Sequence, residues 1–229
     1  MCAILGFTSP SLKKEQVLPY FEKTKSRGPD DTRLEPAGSG MLGFHRLAIM
    51  GLHPEGMQPF HRGGDMAVCN GELYGFRPVK KALEAKGYVF ASDSDCEIIL
   101  PLWQEYGTEM FAGLDAEFAM IIYDSASDSL VAARDPIGIR PLFYGYLADG
   151  SIIFASEAKN LAGLCTHVFP FPPGHYYKDG KFVRYTDLTT VTRYSSDDLD
   201  TVTKKIREKL ISAVEKRLDA DAPLGFLLS

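Results

Sequence analysis

The chain reads EFAMIIYD at residues 117–124, SLVAARD at 129–135, PLFYGYL at 141–147 and SIIFASE at 151–157. These runs are short and rich in β-branched and aromatic residues, a composition typical of strands. The turn-forming pair Ser127-Asp128 separates the first two runs, and Asp149-Gly150 separates the last two. The pattern predicts consecutive antiparallel hairpins, and strand-like runs continue as far as Phe182.

The part of the chain before these hairpins alternates strand-like and helix-like segments. CAILGF (2–7), GMLGFHRLAIM (40–50) and DMAVCNGELYGF (65–76) have the length and composition of strands. LKKEQVLPYFEKTKSRGPD (12–30) and DCEIILPLWQEYG (95–107) have apolar residues at helical spacing, and Gly28 and Pro29 end the first of these helices. Two groups of strands with helices beside them predict an α+β protein with stacked sheets.

From residue 186 onward the sequence changes character. TDLTTVTRYSSDD (186–198) is polar and has no periodicity, whereas LDTVTKKIREKLISAVEKRLD (199–219) predicts an amphipathic packing helix rather than a binding element. The apolar run APLGFLLS (222–229) predicts a buried strand with nothing after it to cover it. We therefore expect a fragment, in which a first domain spans residues 1–194 and a second, truncated domain begins at 195.

Composition and charge exclude several classes of protein. The 229 residues include 25 Lys and Arg against 30 Asp and Glu, a formal net charge of −5. This acidity argues against nucleic acid as a partner. No window approaches the roughly 20 apolar residues of a membrane span, and the first residues do not resemble a signal peptide. We expect a cytoplasmic protein with no membrane partner.

The cysteines and histidines predict no metal site, but Cys2 has an unusual position. The four cysteines form no C-x-x-C pair, and the five histidines lack paired ligand spacing. A small second residue generally permits removal of the initiator Met, after which Cys2 would carry both a thiol and a free α-amine. An amine with a pKa of about 7.7–8.0 can accept the proton of a thiol with a pKa of about 8.5. Alone, this signal is weak, because a Cys at position 2 is more often incidental.

Eight short motifs, in the order in which they stand, resemble one family. They are MCAILGF (1–7), RGPDD (27–31), GFHRLAI (43–49), CNGELYGF (69–76), DSDCEIIL (93–100), RDPIGIRPLFY (134–144), SEAKNL (156–161) and FPPGHYY (171–177). Together they resemble the glutaminase half of glutamine-dependent asparagine synthetase, a class II glutamine amidotransferase. The resemblance covers essentially the whole chain, and RGPD distinguishes this family from amidotransferases that make glucosamine phosphate or phosphoribosylamine.

The resemblance implies a fold and a domain order. The fold is that of the N-terminal-nucleophile hydrolases, a four-layer αββα sandwich of two antiparallel sheets. Residues 195–229 would then be the linker, helix and first strand of a truncated α/β synthetase domain that uses ATP. GFLLS (225–229) looks like the strand that enters the pyrophosphate loop of that domain.

Carried over residue by residue, the resemblance assigns the catalytic groups. Cys2 is the nucleophile, and its α-amine is the base. The side-chain amide of Asn70 and the backbone N–H of Gly71 are the oxyanion hole, where two donors face the developing negative charge. From the residues alone, a tight hairpin turn explains Asn70-Gly71 equally well.

The resemblance also assigns the residues that bind free glutamine. Arg46 is the ligand of the α-carboxylate, which a planar guanidinium can bind through both oxygens. Asp95 is the partner of the ammonium group, although a solvated surface salt bridge is the ordinary explanation for either residue alone. The other residues assigned to the glutamine site are Glu72, Leu47, Ala48, Ile49, Met50, Asn70 and Gly71. Leu227 is assigned to ATP by its position.

The implied reaction is hydrolysis of L-glutamine to glutamate and ammonia, with the ammonia converting aspartate to asparagine in the intact protein. ATP and Mg²⁺ serve the synthetase half, and no cofactor is expected in this fragment. A homodimer is the expected assembly. The alternatives are an amidotransferase with a different acceptor and a non-catalytic glutamine-sensing domain. Three positions depart from the family, since Ala3, Ser26 and Gly75 stand where Gly, His and Asn are common.

Overall fold

The computed structural model describes residues 1–227, which form two six-stranded antiparallel sheets with helices outside them. The strands are β1 (Ala3–Thr8), β2 (Asp31–Ala37), β3 (Gly40–Arg46), β4 (Phe60–Arg62), β5 (Asp65–Leu73), β6 (Ala116–Asp124), β7 (Ser129–Arg134), β8 (Phe143–Tyr146), β9 (Ile152–Ala155), β10 (Val168–Pro170), β11 (His175–Lys178) and β12 (Lys181–Arg184). The α-helices are α1 (Lys14–Phe21), α2 (Phe76–Ala85), α3 (Ile99–Tyr106), α4 (Met110–Gly113) and α5 (Leu199–Lys216).

The predicted hairpins are present, but they belong to different sheets. The first sheet has the strand order β10-β8-β9-β1-β3-β2, and the second has the order β12-β11-β7-β6-β5-β4. β6 pairs with β7 in the second sheet, whereas β8 pairs with β9 in the first. The segment 135–142 therefore carries the chain from one sheet to the other.

Alternation along the strands produces the four layers. In β6, Ala119 and Ile121 pack in the core between the sheets, whereas Phe118 and Met120 pack in a second core beneath α2, α3 and α4. In β1, Leu5 points to the outer face, where it packs with residues of α1. The predicted αββα sandwich of two antiparallel sheets is confirmed.

The helical predictions before the hairpins are also confirmed. α1 continues as a 3₁₀ segment over Glu22–Arg27 and ends before Gly28. The second helix begins with a 3₁₀ turn over Asp95–Ile98 and continues as α3. Pro101 is the third residue of α3, where the backbone N–H has no partner within an α-helix, so proline is tolerated there.

The end of the chain is partly as predicted. The segment 190–198 has no regular secondary structure, and α5 follows it as the sequence indicates. The expected packing of α5 is not seen within residues 1–227, because Ile206 and Leu210 on its apolar stripe are more than half exposed.

The strand predicted over 222–229 is wrong for the described part of that segment. Residues 223–227 form no strand, and Phe226 and Leu227 are exposed. A strand is stable only when a neighbouring strand accepts its hydrogen bonds, and none of the described residues pairs with this run. The last two residues of the prediction, 228 and 229, lie outside the described residues.

Among residues 1–227, no helix combines the length and the apolar character that crossing a membrane requires.

The core beneath the helices allows a direct test of this layer assignment. Phe118 is 1% exposed and Phe226 is 69% exposed. Phe118→Ala should lower the free energy of unfolding by about 3–5 kcal/mol, because it leaves a cavity in the core. Phe226→Ala should change it by less than about 0.5 kcal/mol. Urea denaturation followed by circular dichroism measures both, and equal effects would contradict the assignment.

Candidate active site

Cys2 lies at the amino end of β1, beside the segment that follows β3. β1 and β3 pair with Ala3 opposite His45, so the residue before Ala3 comes next to the residues after His45. The backbone N–H of Leu47 donates to Cys2 Sγ at 3.4 Å, and the thiol donates to the Leu47 carbonyl at 3.5 Å. The sulfur is therefore held against the start of the segment Leu47–Gly51, which we call the 47–51 loop.

Two motifs that are distant in the sequence fix the backbone around Cys2. Arg27 Nε donates to the Cys2 carbonyl at 3.1 Å, and Arg27 Nη1 pairs with Glu157 Oε1 at 2.8 Å. Next along β1, the Ile4 N–H donates to Ser156 Oγ at 2.8 Å, and the Ser156 N–H donates back to the Ile4 carbonyl at 2.9 Å. These contacts give RGPDD and SEAKNL a structural role that the sequence analysis did not assign.

The RGPD turn also holds the 47–51 loop. Asp30 Oδ2 accepts a hydrogen bond from the Ala48 N–H at 2.8 Å, and the Asp30 N–H donates to the Arg46 carbonyl at 3.0 Å. The turn approaches β3 so closely that a Cβ at Gly28 would lie 2.3 Å from the His45 carbonyl. Only glycine fits there, because the clash would be with backbone atoms.

Arg46 is buried, and the loop's own carbonyl groups hold its guanidinium. Arg46 Nη1 donates to the His53 carbonyl at 3.1 Å, and Nη2 donates to the Gly51 carbonyl. The side chain is 7% exposed, so the alternative of a solvated surface salt bridge is wrong. Because these acceptors are neutral, they do not compensate the positive charge of the buried guanidinium, which can therefore bind an anion.

Asn70 and Gly71 lie within β5, paired with Ala119 and Phe118 of β6. The alternative of a hairpin turn at these residues is therefore wrong. The alternation along β5 places the Asn70 side chain on the face of Val68, which packs between the two sheets. Asn70 Nδ2 is buried and has no hydrogen-bond partner among residues 1–227, which is rare for a buried donor and marks it as available for a ligand atom.

Gln58 holds the strand beside Asn70. Its side-chain Nε2 donates to the Cys69 carbonyl at 3.2 Å, and its Oε1 accepts from the Cys69 N–H at 2.6 Å. The sequence analysis missed this residue, because nothing in the local pattern shows that residue 58 reaches residue 69.

The other end of the site carries two acids. Asp95 Oδ2 accepts from the Leu73 N–H at 2.7 Å, and burial raises the pKa of Asp95, opposed by this and other hydrogen bonds. Burial and then the neighbouring charge of Asp95 raise the pKa of Glu72 to about 7. A cation bound here would favour the charged forms of both acids. Asp95 is 4% exposed, so it too is not a surface salt-bridge residue.

Arg140 is a further residue that the sequence analysis missed. Its Nη2 pairs with Glu117 Oε1 at 2.7 Å, and its buried Nε has no hydrogen-bond partner. Asp135 positions it by accepting the Arg140 N–H at 2.9 Å. The motif RDPIGIRPLFY contains both residues, so the motif was the signal that could have identified them.

One pocket collects most of the predicted site residues. Of those residues, its lining includes Cys2, Arg46, Leu47, Ile49, Met50, Asn70, Gly71, Glu72 and Asp95. Ala48 is not part of the lining, and its N–H is directed to Asp30 instead. Leu227 is fully exposed and does not belong to this site. The space inside this pocket that water-sized molecules can occupy is small, about 40 Å³.

The pocket combines charges of both signs with a thiol, a set of groups that suits a zwitterion carrying a reactive group. A cation, Arg46, lies in the lining together with the acids Glu72 and Asp95. Burial raises the pKa of the Cys2 thiol, and a hydrogen bond from Leu47 opposes the shift. The thiol is therefore protonated at neutral pH and needs a base in order to react. Burial also lowers the pKa of the Met1 amino group, so a larger fraction of that amine is unprotonated near neutral pH.

The three departures from the family have different surroundings. Ala3 is buried in β1, and Ser26 is exposed in the 3₁₀ segment. Gly75 has a left-handed backbone with φ +65° at the start of α2. Both Gly and Asn adopt this conformation readily, so Gly75 fits the position without strain.

Within residues 1–227, no group of three or more His, Cys, Asp or Glu side chains is arranged to hold a metal ion.

Solved structures resemble this fold. One described as the allosteric regulatory enzyme of purine biosynthesis has a TM-score of 0.66 and 20% identity, and the match covers 84% of this chain and 50% of that chain. Glutamine phosphoribosylpyrophosphate amidotransferase from B. subtilis has a TM-score of 0.65 and 20% identity, with coverages of 81% and 49%. At this identity the likeness concerns the fold alone, and it supports the N-terminal-nucleophile hydrolase fold.

Curated relatives match over the whole chain. A probable glutamine-hydrolyzing asparagine synthetase of Dictyostelium discoideum is 36% identical over 100% of this chain and 43% of its own length. A glutamine-hydrolyzing asparagine synthetase of Sandersonia aurantiaca is 37% identical over 99% of this chain and 43% of its own length. The chain thus spans less than half the length of these relatives.

The family model described as a glutamine amidotransferase domain matches residues 1–176, which is more than half of the chain. This protein therefore belongs to the glutamine amidotransferase domain family.

Proposed function

We propose that this chain hydrolyses L-glutamine to glutamate and ammonia, with Cys2 as the nucleophile. The observation that carries the proposal is that one pocket is lined by the Cys2 thiol, the buried Arg46 guanidinium and the Asn70 amide, whose Nδ2 has no hydrogen-bond partner among the described residues. Membership of the glutamine amidotransferase domain family supports glutamine as the substrate.

Substrate binding would use the charged groups of both signs that line the pocket. Arg46 would bind the α-carboxylate of glutamine. Its side chain lines the pocket, and its guanidinium donates to backbone carbonyl groups, which do not neutralise its charge. Asp95 and Glu72 would bind the ammonium group, which would lower the pKa of both acids. The side-chain amide would then lie toward Cys2 and Asn70.

The chemistry follows from the proton on the thiol. After removal of Met1, the α-amine of Cys2 would accept the thiol proton, and the sulfur would attack the amide carbon of glutamine. Asn70 Nδ2 and the Gly71 N–H would stabilise the oxyanion of the tetrahedral intermediate. The C–N bond would break as the amine returns its proton to the leaving ammonia, and water would hydrolyse the resulting thioester to glutamate.

In the intact protein, the ammonia would serve an ATP-dependent conversion of aspartate to asparagine. The names of the curated relatives support this acceptor, and more than half of the length of those relatives lies outside this chain. ATP, Mg²⁺ and aspartate would bind there, since no metal site is found in the described part of this chain. The domain limits 1–194 and 195–229, the cytoplasmic location and the homodimer stay predictions.

Covalent labelling tests the nucleophile. A glutamine-mimicking diazoketone should add once, to Cys2, in protein whose mass shows Met1 removed, and Cys2→Ser should abolish turnover while the Kd for glutamine changes by no more than a few-fold. Cys165 is a half-buried thiol outside the pocket. The Cys165→Ser variant should therefore still be labelled at Cys2 and should hydrolyse glutamine as the wild type does. Turnover by Cys2→Ser would refute the nucleophile, and unlabelled protein that binds glutamine would indicate a sensing domain.

Steady-state kinetics test Arg46. Arg46→Ala should raise the KM for glutamine by roughly 30- to 1000-fold, because a buried carboxylate would lose its charged partner. The exposed Arg193→Ala should leave KM unchanged. A fall in kcat with no change in KM would show that Arg46 does not bind the substrate.

The pH dependence of glutamine use tests Glu72. Its pKa of about 7 means that the free protein loses this negative charge as the pH falls below 7. The attraction for the glutamine ammonium weakens with it, so kcat/KM should fall on the acid side by up to about tenfold per pH unit. Glu72→Gln should make this limb shallower, because only the proposed amine base then titrates, whereas Glu84→Gln, a change at an exposed residue of α2, should keep the wild-type slope. Superimposable profiles for Glu72→Gln and wild type would be inconsistent with this role.

A further inference from the structure

The segment that follows α5 returns to the pocket and binds the outside of the 47–51 loop. We call Asp219–Ala222 the clasp. The backbone N–H groups of Asp221 and Ala222 both donate to the Ile49 carbonyl at 3.1 Å. In return, the Gly51 N–H donates to Asp221 Oδ2 at 2.8 Å. Three hydrogen bonds therefore connect the clasp to the loop.

Side chains around the clasp fix it to the elements that frame the pocket. Asp219 pairs with Arg77 of α2, and Ala220 packs against the core beneath the helices. Arg217 lies over the ring of Tyr74, just after β5, at 4.6 Å from the ring centroid. The clasp thus contacts the loop and α2, and Arg217 just before it contacts the end of the strand that carries Asn70.

Gly51 joins the clasp to the substrate-binding arginine. Its N–H donates to Asp221, and its carbonyl accepts from the Arg46 guanidinium. Gly51 has φ +57°, and a Cβ there would lie 2.7 Å from the Ser94 nitrogen, so the chain has little freedom at this point. A shift of Asp221 is therefore transmitted to Arg46 through one residue.

The 47–51 loop forms one wall of the pocket, which Leu47, Ile49 and Met50 line. The inner side of the loop is held by Asp30 and by Cys2, and its outer side is held by the clasp. Contacts that hold the loop in this arrangement favour it over other arrangements of the loop.

We propose that the clasp stabilises the 47–51 loop in the arrangement that lines the pocket, with Asp221 as its positioning residue, and so couples glutamine binding to the chain that follows α5. The proposal rests on the proposed function, since it concerns the affinity of the same pocket. The coupling is reciprocal: if a docked clasp favours bound glutamine, bound glutamine favours a docked clasp.

Kinetics with three variants test the positioning role. Asp221→Ala should raise the KM for glutamine about three- to tenfold, the loss expected for one hydrogen bond, with kcat within about twofold. Asp221→Asn should restore KM to within about twofold of wild type, because its side-chain carbonyl can still accept from Gly51. Asp197→Ala, an exposed acid of the linker, should behave as wild type. An unchanged or lowered KM in Asp221→Ala would overturn the proposal, as would an Asp221→Asn variant equal to Asp221→Ala.

Hydrogen exchange tests the reciprocal effect without turnover. In the Cys2→Ser chain, saturating glutamine should slow exchange at the amides of Asp221 and Ala222 at least about threefold, while the amides of 190–197 do not change. Absence of slowing at 221 and 222, with glutamine shown to bind, would overturn the proposal. A wild-type chain that binds glutamine without hydrolysing it would instead refute the proposed function and leave this measurement valid.

Discussion

The antiparallel pairing of β1 with β3 is the constraint on which the site depends. It fixes Ala3 opposite His45 and therefore places the thiol of Cys2 against Leu47. A slip of one residue in this register would turn the side chains of β1 to the opposite face and move the sulfur away from the pocket. The core between the sheets prevents such a slip, since Ile4 is buried there with residues of both sheets.

The charged groups of the pocket are buried at the edge of this apolar core, which is an unfavourable place for an isolated charge. The chain offsets this cost with backbone hydrogen bonds. Loop carbonyls surround Arg46, the Leu73 N–H reaches Asp95, and Glu117 pairs with Arg140. The raised pKa of Glu72 is the part of the cost that is not offset, and such perturbed groups concentrate at functional sites.

The sequence predicted the strands that have an apolar, strand-like composition and missed those that do not. The runs that became β1, β5, β6 and β7 are apolar on both faces because both faces are covered. β2 contains Pro36 and charged residues and forms at the edge of its sheet only because β3 pairs with it. The run after α5 had the composition of a strand, but composition cannot supply a neighbouring strand.

The site shows the same division. Ordered motifs were sufficient to select Cys2, Arg46, Asn70 and Asp95, which line one pocket. The supporting contacts of Asp30, Gln58 and Arg140 join residues that are far apart in the chain, and no spacing rule predicts such pairs. The contact between the clasp and Ile49 joins residues that are even further apart in the sequence, and no sequence pattern predicts it.

The position of Cys2 has a practical consequence for recombinant work. If residues are fused ahead of Met1, the Cys2 nitrogen stays in a peptide bond. The added chain then extends from the protein beside the pocket that Cys2 lines. An affinity tag at that end would therefore block the amine that the proposed chemistry requires. Leu227 is fully exposed, so a tag attached at the opposite end of the chain would avoid this interference.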